Sequence, residues 1–404
     1  MLMVHQFNEK IKQYAQDLEE ETIRTRAYLH AHPELSSQEY ETVIFLKDQI
    51  KHYGLEIEDV PGSTGFTALL DTGRPGRNLG IRTDIDALPI EENENNLKRR
   101  RKYISENKGV MHACGHDGHM AIILSTIKLI HKLKEELSGK IYFIFEEGEE
   151  IGAGIDAMVA HLKDKHMDAI YGNHLAAFID SGKISVSAGP KMAGAIFVEF
   201  TVHGKSGHGS RPDLSINPVF ATAHVLTSLT NAWANQVDVT KTVTLGLTEI
   251  HGGHAKNVIP DKVEIGGTLR FYDVEEGKRA MDIIKNVATH TAAAHQCTVT
   301  FSDEFKLVAH PVVNDEKLAS LAMEANEKIM PGSTIEDVQW FASEPFNQYK
   351  EVAPTLFAFI GARNEAYGSG AEHHNEKFDI DDGVLINGVM ATSQFAVDFL
   401  MEKE

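Results

Sequence analysis

Residues 141–150 read Ile141-Tyr142-Phe143-Ile144-Phe145-Glu146-Glu147-Gly148-Glu149-Glu150, so five consecutive apolar residues are followed by four carboxylates. A short apolar run with polar borders is typical of a fully buried strand. Upstream, a helical pattern covers 119–137, and two further apolar runs, 65–70 and 79–85, flank a turn that contains Gly and Pro. This alternation of strands and helices predicts an α/β/α domain with a mostly parallel sheet.

Residues 190–305 follow a different pattern. Apolar and polar positions predict a strand, a helix, two strands, a helix and a last strand, at 195–202, 217–234, 242–250, 262–272, 275–295 and 297–302. This β-α-β-β-α-β order is that of a complete ferredoxin-like α+β unit. A chain of 404 residues exceeds the ~250–300 residues that one core usually serves, so we predict one domain from 1–189 and 306–404 and a second, 190–305, inserted in it.

Charge and composition exclude several classes of protein. Lys and Arg number 39 against 59 Asp and Glu, and the net charge of −20 would repel nucleic acid and an anionic membrane surface. The sequence shows neither a run of ~20 apolar residues nor an N-terminal secretory signal, which predicts a cytoplasmic protein. Cys114 and Cys297 are too few for a disulfide framework, whereas 21 histidines favour a metal site.

The polar segment 93–108 contains the basic run Lys98-Arg99-Arg100-Arg101-Lys102. A run of like charges is usually a solvated loop, and this is the interpretation we favour. A basic patch that binds substrate is the alternative.

The densest chemical signal is Met111-His112-Ala113-Cys114-Gly115-His116-Asp117-Gly118-His119, just before a helix. One thiol, three imidazoles and a carboxylate within nine positions form the mixed S and N donor set that borderline divalent metals take. The alternative is structural, with a small buried Cys at the helix start and histidines crowded in a surface loop.

Carboxylates and two distant histidines extend this signal. Residues 146–150 follow a predicted parallel strand, at the edge where α/β sheets carry their active sites. Alone they predict a solvated acidic loop, although their mutual repulsion favours a nearby cation. His174 follows the apolar run 169–170 and His374 lies in a Gly-rich loop. A single His is more often structural than a ligand, so their joint occurrence with 111–119 is what indicates a metal centre.

The sequence resembles the family of metallo-amidohydrolases that includes aminoacylases, hippurate hydrolases and auxin-conjugate hydrolases. The resemblance covers nearly the whole chain, and its most specific motifs are Cys114-Gly115-His116-Asp117-Gly118-His119 and Asp84-Ile85-Asp86-Ala87-Leu88-Pro89. The other motifs that carry it are His30-Ala31-His32-Pro33-Glu34-Leu35, Gly204-Lys205-Ser206-Gly207-His208, Asn257-Val258-Ile259-Pro260, Gly267-Thr268-Leu269-Arg270 and His374-Asn375-Glu376-Lys377-Phe378.

The resemblance implies a pair of divalent metal ions, Mn, Zn, Co or Ni, in the first domain. Cys114 would be a thiolate that bridges both ions, and the other ligands would be His116, Glu150, His174 and His374. Metal-bound imidazoles need partners that orient them, a role implied for Asp84, Asp86 and Asp117. Alternatively, the first two of these only end a strand and begin a turn.

The resemblance also implies the catalytic groups. Glu149 would be the general base that receives a proton from the attacking water and delivers it to the leaving amine. His208 would reach across a homodimer from the partner's inserted domain and stabilise the oxyanion, or it is only a turn residue between glycines. Asn257 and Arg270 occupy substrate-binding positions, where Arg suits a carboxylate, or they only tie the inserted domain together.

We therefore predict a metal-dependent hydrolase of N-acyl amino acids. A dipeptidase or carboxypeptidase would use the same residues, and a non-catalytic metal- or peptide-binding dimer is an alternative of another class. The chain departs from the family at Glu146-Glu147-Gly148, where Gln-Pro-Ala is common, and at Pro345, where Asp is usual. Substrate preference is expected to differ for this reason.

Overall fold

The computed structural model describes residues 2–402, and the side chains from residue 7 onward. The chain divides into two compact units, one formed by residues up to Gly189 with Val313–Val338 and Pro345–Glu404, the other by Pro190–Val312 and Gln339–Glu344. The sequence prediction drew its boundaries after residues 189 and 305. In the structure they follow residues 189 and 312, and the short segment 339–344 belongs to the second unit.

Helices and strands alternate along much of the chain. Up to the second unit they are α1 (Leu2–Ala31), α2 (Tyr40–Ile50), β1 (Glu56–Asp59), β2 (Phe66–Asp71), β3 (Asn78–Asp84), α3 (His116–Leu133), β4 (Lys140–Glu146), α4 (Ile155–Leu162), β5 (Ala169–Asp180), β6 (Ile184–Ser185) and β7 (Gly189–Met192). The second unit contains β8 (Gly194–His203), β9 (Gly207–His208), α5 (Pro218–Gln236), β10 (Val243–His251), β11 (Val258–Ile259), β12 (Lys262–Phe271), α6 (Val274–Ala294), β13 (Thr298–Phe301) and β14 (Leu307–Ala309). The chain continues with β15 (Val312–Asn314), α7 (Glu316–Ile329), β16 (Thr355–Arg363) and α8 (Val384–Met401). Short 3-10 helices occur at Lys51–Tyr53, Lys134–Glu136, Glu149–Ile151, Lys163–Lys165, Pro212–Leu214 and Pro345–Glu351.

The first unit is built on a seven-stranded sheet in the order β1-β2-β4-β3-β5-β16-β6. The four central strands, β4, β3, β5 and β16, are parallel, and the outer strands pair antiparallel, so the sheet is mixed. The predicted α/β class is confirmed, with the parallel part limited to the centre. The run 141–145 is buried throughout, as a central strand between two layers requires.

Helices cover this sheet. Helix α1 buries Phe7, Ile11, Ala15 and Leu18, which recur at helical spacing, and ends just before His32-Pro33. It packs against α3 and α8, and α8 also packs against α7. Helix α8 is long and apolar enough to cross a membrane, but 72% of it is buried inside the protein. It is therefore a core helix of this unit.

The second unit has the predicted ferredoxin-like arrangement. Its strands are antiparallel and lie in the order β10-β12-β8-β13, with β14 as an addition beside β8. The helices α5 and α6 contribute Val225, Leu229 and Ile284 to a core shared with Ile196 and Phe200 of β8. This core is separate from that of the first unit, as expected of an inserted domain.

A buried ionic network joins distant segments of the first unit. Arg26 of α1 is fully buried and donates from Nε to Asp117 at 3.0 Å, from Nη1 to Asp382 at 2.6 Å and from Nη2 to Asp379 at 3.4 Å. His30, one turn further along α1, contacts Asp117 and Glu92 with its two ring nitrogens, each at 2.8 Å. Burial alone would lower the pKa of His30, but these two carboxylates raise it to about 9. The imidazole is therefore a cation at neutral pH.

The basic run belongs to the same network. Arg101 is buried and lies 3.3 Å from Glu92 and 3.7 Å from Asp379, and Lys102 lies 3.1 Å from Asp382. Arg99 stacks over Tyr367 at 3.7 Å. The prediction of a solvated loop holds for Arg99 and Lys102, whose side chains are exposed, and is wrong for Arg101, which is buried between Glu92 and Asp379.

Replacing Arg26 by Met should lower the free energy of unfolding by about 3–5 kcal/mol, because the carboxylates that it contacts would remain buried without this cation. Arg24, on the same helix, is a matched control: its side chain is 70% exposed and lies 3.6 Å from Glu20. Arg24→Met should cost less than about 1 kcal/mol. Urea unfolding followed by far-UV circular dichroism measures both. Equal losses would show that the network contributes nothing beyond a surface pair.

Candidate metal centre

The predicted ligands of the first unit converge at the carboxyl ends of its parallel strands. Asp84 ends β3, Glu149 and Glu150 follow β4 in a 3-10 turn, and His174 lies in β5 beyond its pairing with β3. His374 lies in the loop after β16. Parallel strands end at one edge of a sheet, so side chains from distant parts of the chain meet there.

Two glycines bring the Cys114 loop against β5. Gly115 has φ +91°, a left-handed conformation that turns the chain between Cys114 and the first residue of α3, His116. A Cβ on Gly118 would lie 2.4 Å from Leu175 Cδ1, so a larger residue here would have to displace the Leu175 side chain of β5. Cys114 Sγ consequently lies 3.5 Å from His174 Nε2.

Hydrogen bonds fix which nitrogen of each ligand histidine faces the centre. His116 Nδ1 lies 3.0 Å from the backbone oxygen and 3.1 Å from the carboxylate of Asp86, so Nδ1 carries the proton. His174 Nδ1 donates to Leu175 O at 3.0 Å. Both rings therefore direct an unprotonated Nε2 toward Cys114 when a cation is bound, which is the form that binds metal.

Glu149 and Glu150 lie near the same nitrogen of His116 that faces the centre. Glu149 Oε2 and Glu150 Oε1 are each 3.8 Å from His116 Nε2. The backbone N–H of Glu150 donates to Asp86 at 3.1 Å, which ties this turn to the group that orients His116. Neighbouring side chains of one turn thus reach the same point from different directions.

His374 reaches the centre from a strained backbone. Its φ is +62°, a conformation that costs a non-Gly residue about 1–3 kcal/mol. The N–H of His374 donates to Ala113 O at 2.9 Å, which holds the loop against the residue before Cys114. His374 Nε2 lies 3.2 Å from Glu150 Oε2.

These donors form two groups that share the thiol. Cys114, His116 and His174 make one group and Cys114, Glu150 and His374 the other, and in each the donor atoms lie within 4.8 Å of one another. A thiolate at Cys114 is therefore placed to contact two ions. Glu149 joins His116 and Glu150 in a further group.

The donor set fits divalent cations. Among the described residues, His116 Nε2 and Glu150 Oε1 are buried and have no hydrogen-bond partner. Burial raises the pKa of the Cys114 thiol well above its usual range, and Glu150 raises it further, so a bound cation is needed to keep the thiolate. Burial lowers the pKa of His116, but Asp84, Asp86 and Cys114 more than reverse this and raise it well above its usual range.

His119 is not suited to be a ligand, although its ring also lies among these donors. Its Nδ1 contacts Asp84 at 2.7 Å, and its Nε2 accepts the N–H of Leu175 at 2.8 Å. Both nitrogens are therefore engaged. His119 instead holds the backbone beside His174 in place.

The three predicted aspartates have different partners. Asp86 orients His116, as predicted from the resemblance. Asp84 contacts His119 and Arg82, and lies 3.7 Å from His116 Nε2. Asp117 does not orient a predicted ligand histidine: its carboxylate binds Arg26 and His30 of the buried network. That expectation is wrong because α1 places two cations beside the first turn of α3.

The unusual residues 146–148 are explained by their contacts. Glu146 accepts from Arg82 Nε at 2.7 Å and from Tyr349 Oη at 2.6 Å, all of them buried. Glu147 binds Ser63 Oγ and the N–H of Thr64. Gly148, at φ +57°, donates its N–H to Glu39. Pro345 begins the 3-10 helix that carries Tyr349, a first-turn position at which Pro needs no N–H.

Sequence reasoning left His373 without a role. Its Nε2 accepts the N–H of Ala177 at 3.2 Å, so Nδ1 carries the proton, and this nitrogen lies 3.9 Å from Cys114 Sγ. Burial lowers the pKa of His373 to about 3. The pair His373-His374 was visible in the sequence, and only the family resemblance selected His374 as the ligand. Arg82, which binds Asp84 and Glu146, was likewise given no role by the sequence.

The remaining predicted residues lie in the second unit. The short strands β9 and β11 pair so that His208 lies opposite Val258, the neighbour of Asn257. His208 Nδ1 accepts the N–H of Ser210 at 3.2 Å, so its proton is on Nε2, and the side chain is exposed. Arg270 lies on β12 and donates to Ser343 Oγ at 2.9 Å.

Comparison with known proteins places these features in a family. The model of peptidase family M20/M25/M40 matches residues 80–397. The chain is 32% identical over 398 residues to thermostable carboxypeptidase 1 of Saccharolobus solfataricus, covering 97% of this chain and 98% of the relative. It is 36% identical over 308 residues to an N-acyl-L-amino acid amidohydrolase of Geobacillus stearothermophilus, covering 76% and 81%.

A solved structure agrees with this match. The crystal structure of a dinuclear metal-binding M20 peptidase from Bacillus subtilis superposes with a TM-score of 0.82 at 30% identity, covering 95% of this chain and 99% of that one. The predicted resemblance to metallo-amidohydrolases is thereby confirmed. The chain belongs to peptidase family M20/M25/M40.

Proposed function

We propose that this chain hydrolyses the amide bond of N-acyl amino acids and releases a carboxylic acid and an amino acid. The observation that carries this proposal is the position of Glu149, whose carboxylate lies beside the donor set without being one of the groups that share Cys114. A metal-binding site with an additional carboxylate facing it is suited to hydrolysis rather than to binding alone. The Geobacillus amidohydrolase, at 36% identity, supports the same reaction.

Two divalent ions would be held by Cys114, His116, His174, Glu150 and His374, whose donor atoms form two groups that share the thiol. When bound, a pair of divalent ions supplies a water of lowered pKa and polarises the substrate carbonyl. Thiolate, imidazole and carboxylate donors suit Mn, Zn, Co or Ni. Asp86 orients His116 and holds Glu150 through its backbone N–H.

Proton transfer and charge stabilisation belong to two other residues. Glu149 accepts the proton of the attacking water and returns it to the nitrogen of the leaving amine. His208 donates its Nε2 proton to the developing oxyanion, in agreement with the acceptance of the Ser210 N–H at Nδ1. Asn257 and Arg270 bind the substrate, and Arg270 pairs with the carboxylate of the substrate.

We further propose a homodimer formed through the second unit. Strand β10 is the edge of the sheet and pairs only with β12 among the described residues. Beside it lies an apolar groove of about 600 Å³, lined by Leu226, Leu229, Thr230, Trp233, Ala234, Leu245 and Leu247. A second copy would pair with this edge and cover the groove, since an open apolar edge strand otherwise invites aggregation. A reduced thiol ligand at Cys114 also fits the predicted cytoplasmic location.

The relative named a carboxypeptidase supports a second candidate, cleavage of short peptides at the carboxyl end. Both reactions use Glu149 and a substrate carboxylate, and they differ in the group on the other side of the amide. Released amine from N-acetyl and N-benzoyl amino acids, compared with dipeptides that have a free amino group, distinguishes them. Equal or faster cleavage of the dipeptides would favour peptidase activity.

Adjacent histidines test the metal assignment. His374→Ala should reduce bound metal from two ions to one per chain, because it removes a ligand of one group only. His373→Ala should retain both ions at saturating Mn²⁺, since His373 Nε2 is engaged by Ala177. Metal content after gel filtration, read by plasma mass spectrometry, decides between them. The reverse result would exchange the roles of the two residues.

Glu149→Gln should lower kcat by about 10²–10⁴-fold while two metal ions stay bound, because the amide cannot accept a proton. Glu147→Gln is the matched control in the same acidic run, since Glu147 contacts Ser63 and Thr64 instead of the centre. It should change kcat less than about tenfold. If both variants keep full activity on acyl amino acids with metal bound, the proposed base is wrong.

Complementation tests the dimer. Glu149→Gln and His208→Ala should each be inactive alone, whereas co-expression should restore about a quarter of the wild-type activity, because half of a random mixture is mixed dimers with one complete site each. The Leu226→Glu change, in the groove, should abolish this rescue, and Thr227→Glu, on the neighbouring exposed position, should preserve it. Absence of rescue in stable mixed dimers would show that His208 acts within its own chain.

A further inference from the structure

One face of the second unit's sheet carries a row of polar and aromatic side chains next to Arg270. Successive residues of a strand point to opposite faces, so Thr268 and Arg270 share one face of β12, about 7 Å apart, and Tyr272 follows just beyond the strand. Segment 341–343 lies beside this end of β12. Ser343 accepts from Arg270 at 2.9 Å, and the rings of Phe341 and Tyr272 meet with their centroids 5.3 Å apart at 63°.

Backbone hydrogen bonds hold this segment in position. Trp340 N–H donates to Lys191 O at 2.8 Å, and Ala193 N–H lies 3.1 Å from Trp340 O and 2.9 Å from Ala342 O. Phe341 and Ser343 are therefore fixed against the start of β8 by contacts on both sides. Segment 341–343 is therefore a fixed part of this surface and not a free loop.

Arg270 is a half-buried cation without an acidic partner among the described residues. Its hydrogen bond is to the neutral hydroxyl of Ser343, and burial lowers its pKa with no carboxylate to oppose the effect. A guanidinium taken out of water is stable only when an anion pairs with it. The missing anion is supplied most simply by the substrate carboxylate.

Two hydroxyl groups beside Arg270 also lack a partner among the described residues. Thr268 Oγ1 and Tyr272 Oη are buried and have no hydrogen-bond partner within residues 7–402. Burial raises the pKa of Tyr272 to about 12, so its hydroxyl stays protonated and can donate. Buried polar atoms are nearly always paired, and those that are not are frequently completed by a ligand.

The apolar part of this surface is aromatic. Phe341 is 45% exposed, and Phe197, which lies opposite Thr268 in the β8–β12 register, is 49% exposed. Half-exposed rings next to an unpaired cation match a ligand in which a carboxylate and a large apolar group sit close together. An α-amino acid with an aromatic side chain has this geometry, because both groups branch from one carbon.

We propose that Tyr272 and Phe341 are specificity-determining residues that bind the amino-acid half of the substrate and select an aromatic or large apolar side chain beside the carboxylate held by Arg270. This inference rests on the proposed function and adds its substrate class. Phe341 packs on the side chain, and the Tyr272 hydroxyl donates to the carboxylate.

The test varies the two halves of the substrate independently. Wild-type enzyme with saturating Mn²⁺ is assayed on N-acetyl-L-phenylalanine, N-acetyl-L-alanine and N-benzoyl-L-alanine. We expect kcat/KM for the first to exceed that for the second by about tenfold or more, as burial of one face of a ring implies. Phe341→Ala should reduce this ratio to about two, mainly through KM, and leave the ratio of the two alanine substrates unchanged.

Two further variants separate the hydroxyl and the fold. Tyr272→Phe should raise KM for all three substrates by about tenfold and keep the phenylalanine-to-alanine ratio, because only a donor to the carboxylate is lost. Phe220→Ala is the matched control, an aromatic side chain of the same unit that is 67% exposed on α5. It should leave every ratio as in the wild type.

The measurements separate a failure of this inference from a failure of the proposed function. A wild-type enzyme without preference for phenylalanine, or a Phe341→Ala variant that keeps the preference, overturns the inference while the proposed function stands. A change in the benzoyl-to-acetyl ratio instead would assign the aromatic surface to the acyl group, which also overturns it. If wild type cleaves no acyl amino acid, the proposed function fails; calorimetric titration of N-acetyl-L-phenylalanine and N-acetyl-L-alanine into wild type and Phe341→Ala then decides the binding site by itself.

Discussion

The buried ion cluster around Arg26 is the constraint on which the metal centre depends. The buried cations Arg26, His30 and Arg101, together with the exposed Lys102, face Asp117, Glu92, Asp379 and Asp382, so four cations balance four anions. Replacing such a cluster by apolar residues is often neutral for stability, so its presence is better explained by what it positions. Asp117 directly follows His116, and Asp379 and Asp382 lie just beyond the His374 loop. One helix, α1, therefore fixes both loops that carry ligands.

The parallel strands also help to position the predicted ligand residues. Their ends bring Glu149, Glu150 and His174 to one edge, but a sheet edge does not by itself place atoms to within an ångström. The precision comes from paired hydrogen bonds. Asp86 holds the ring of His116 and the backbone of Glu150, and the Ala113 oxygen holds the strained His374. Functional sites commonly store such strain, and the surrounding structure must maintain it.

Local patterns in the sequence were sufficient for the α/β class, the ferredoxin-like unit and the cluster at 111–119. They were insufficient wherever the deciding partner is distant in the chain. The run 98–102 has the composition of a solvated loop, yet Arg101 is buried against Glu92 and Asp379. Asp117 was expected from the resemblance to orient a metal-bound imidazole, whereas its partners are Arg26 and His30 of α1. Whether His373 or His374 faces the metal site depends on the Ala177 N–H, which no sequence pattern indicates.

The four carboxylates after β4 show how one acidic run divides its tasks. Glu146 pairs with the Arg82 cation and accepts a hydrogen bond from the Tyr349 hydroxyl, and Glu147 accepts hydrogen bonds from Ser63 and Thr64. Glu149 and Glu150 instead face His116 and, for Glu150, His374. Burial raises the pKa of the Cys114 thiol well above its usual range, and the charges of Glu150 and Glu149 raise it further, so a thiolate here needs a nearby positive charge. Two divalent cations would supply this positive charge better than one proton, because the thiol belongs to both donor groups. Repulsion among these carboxylates is thus reduced at Glu146 and Glu147 by their own partners, and it remains at Glu149 and Glu150, the two residues to which we assign proton transfer and metal binding in the proposed function.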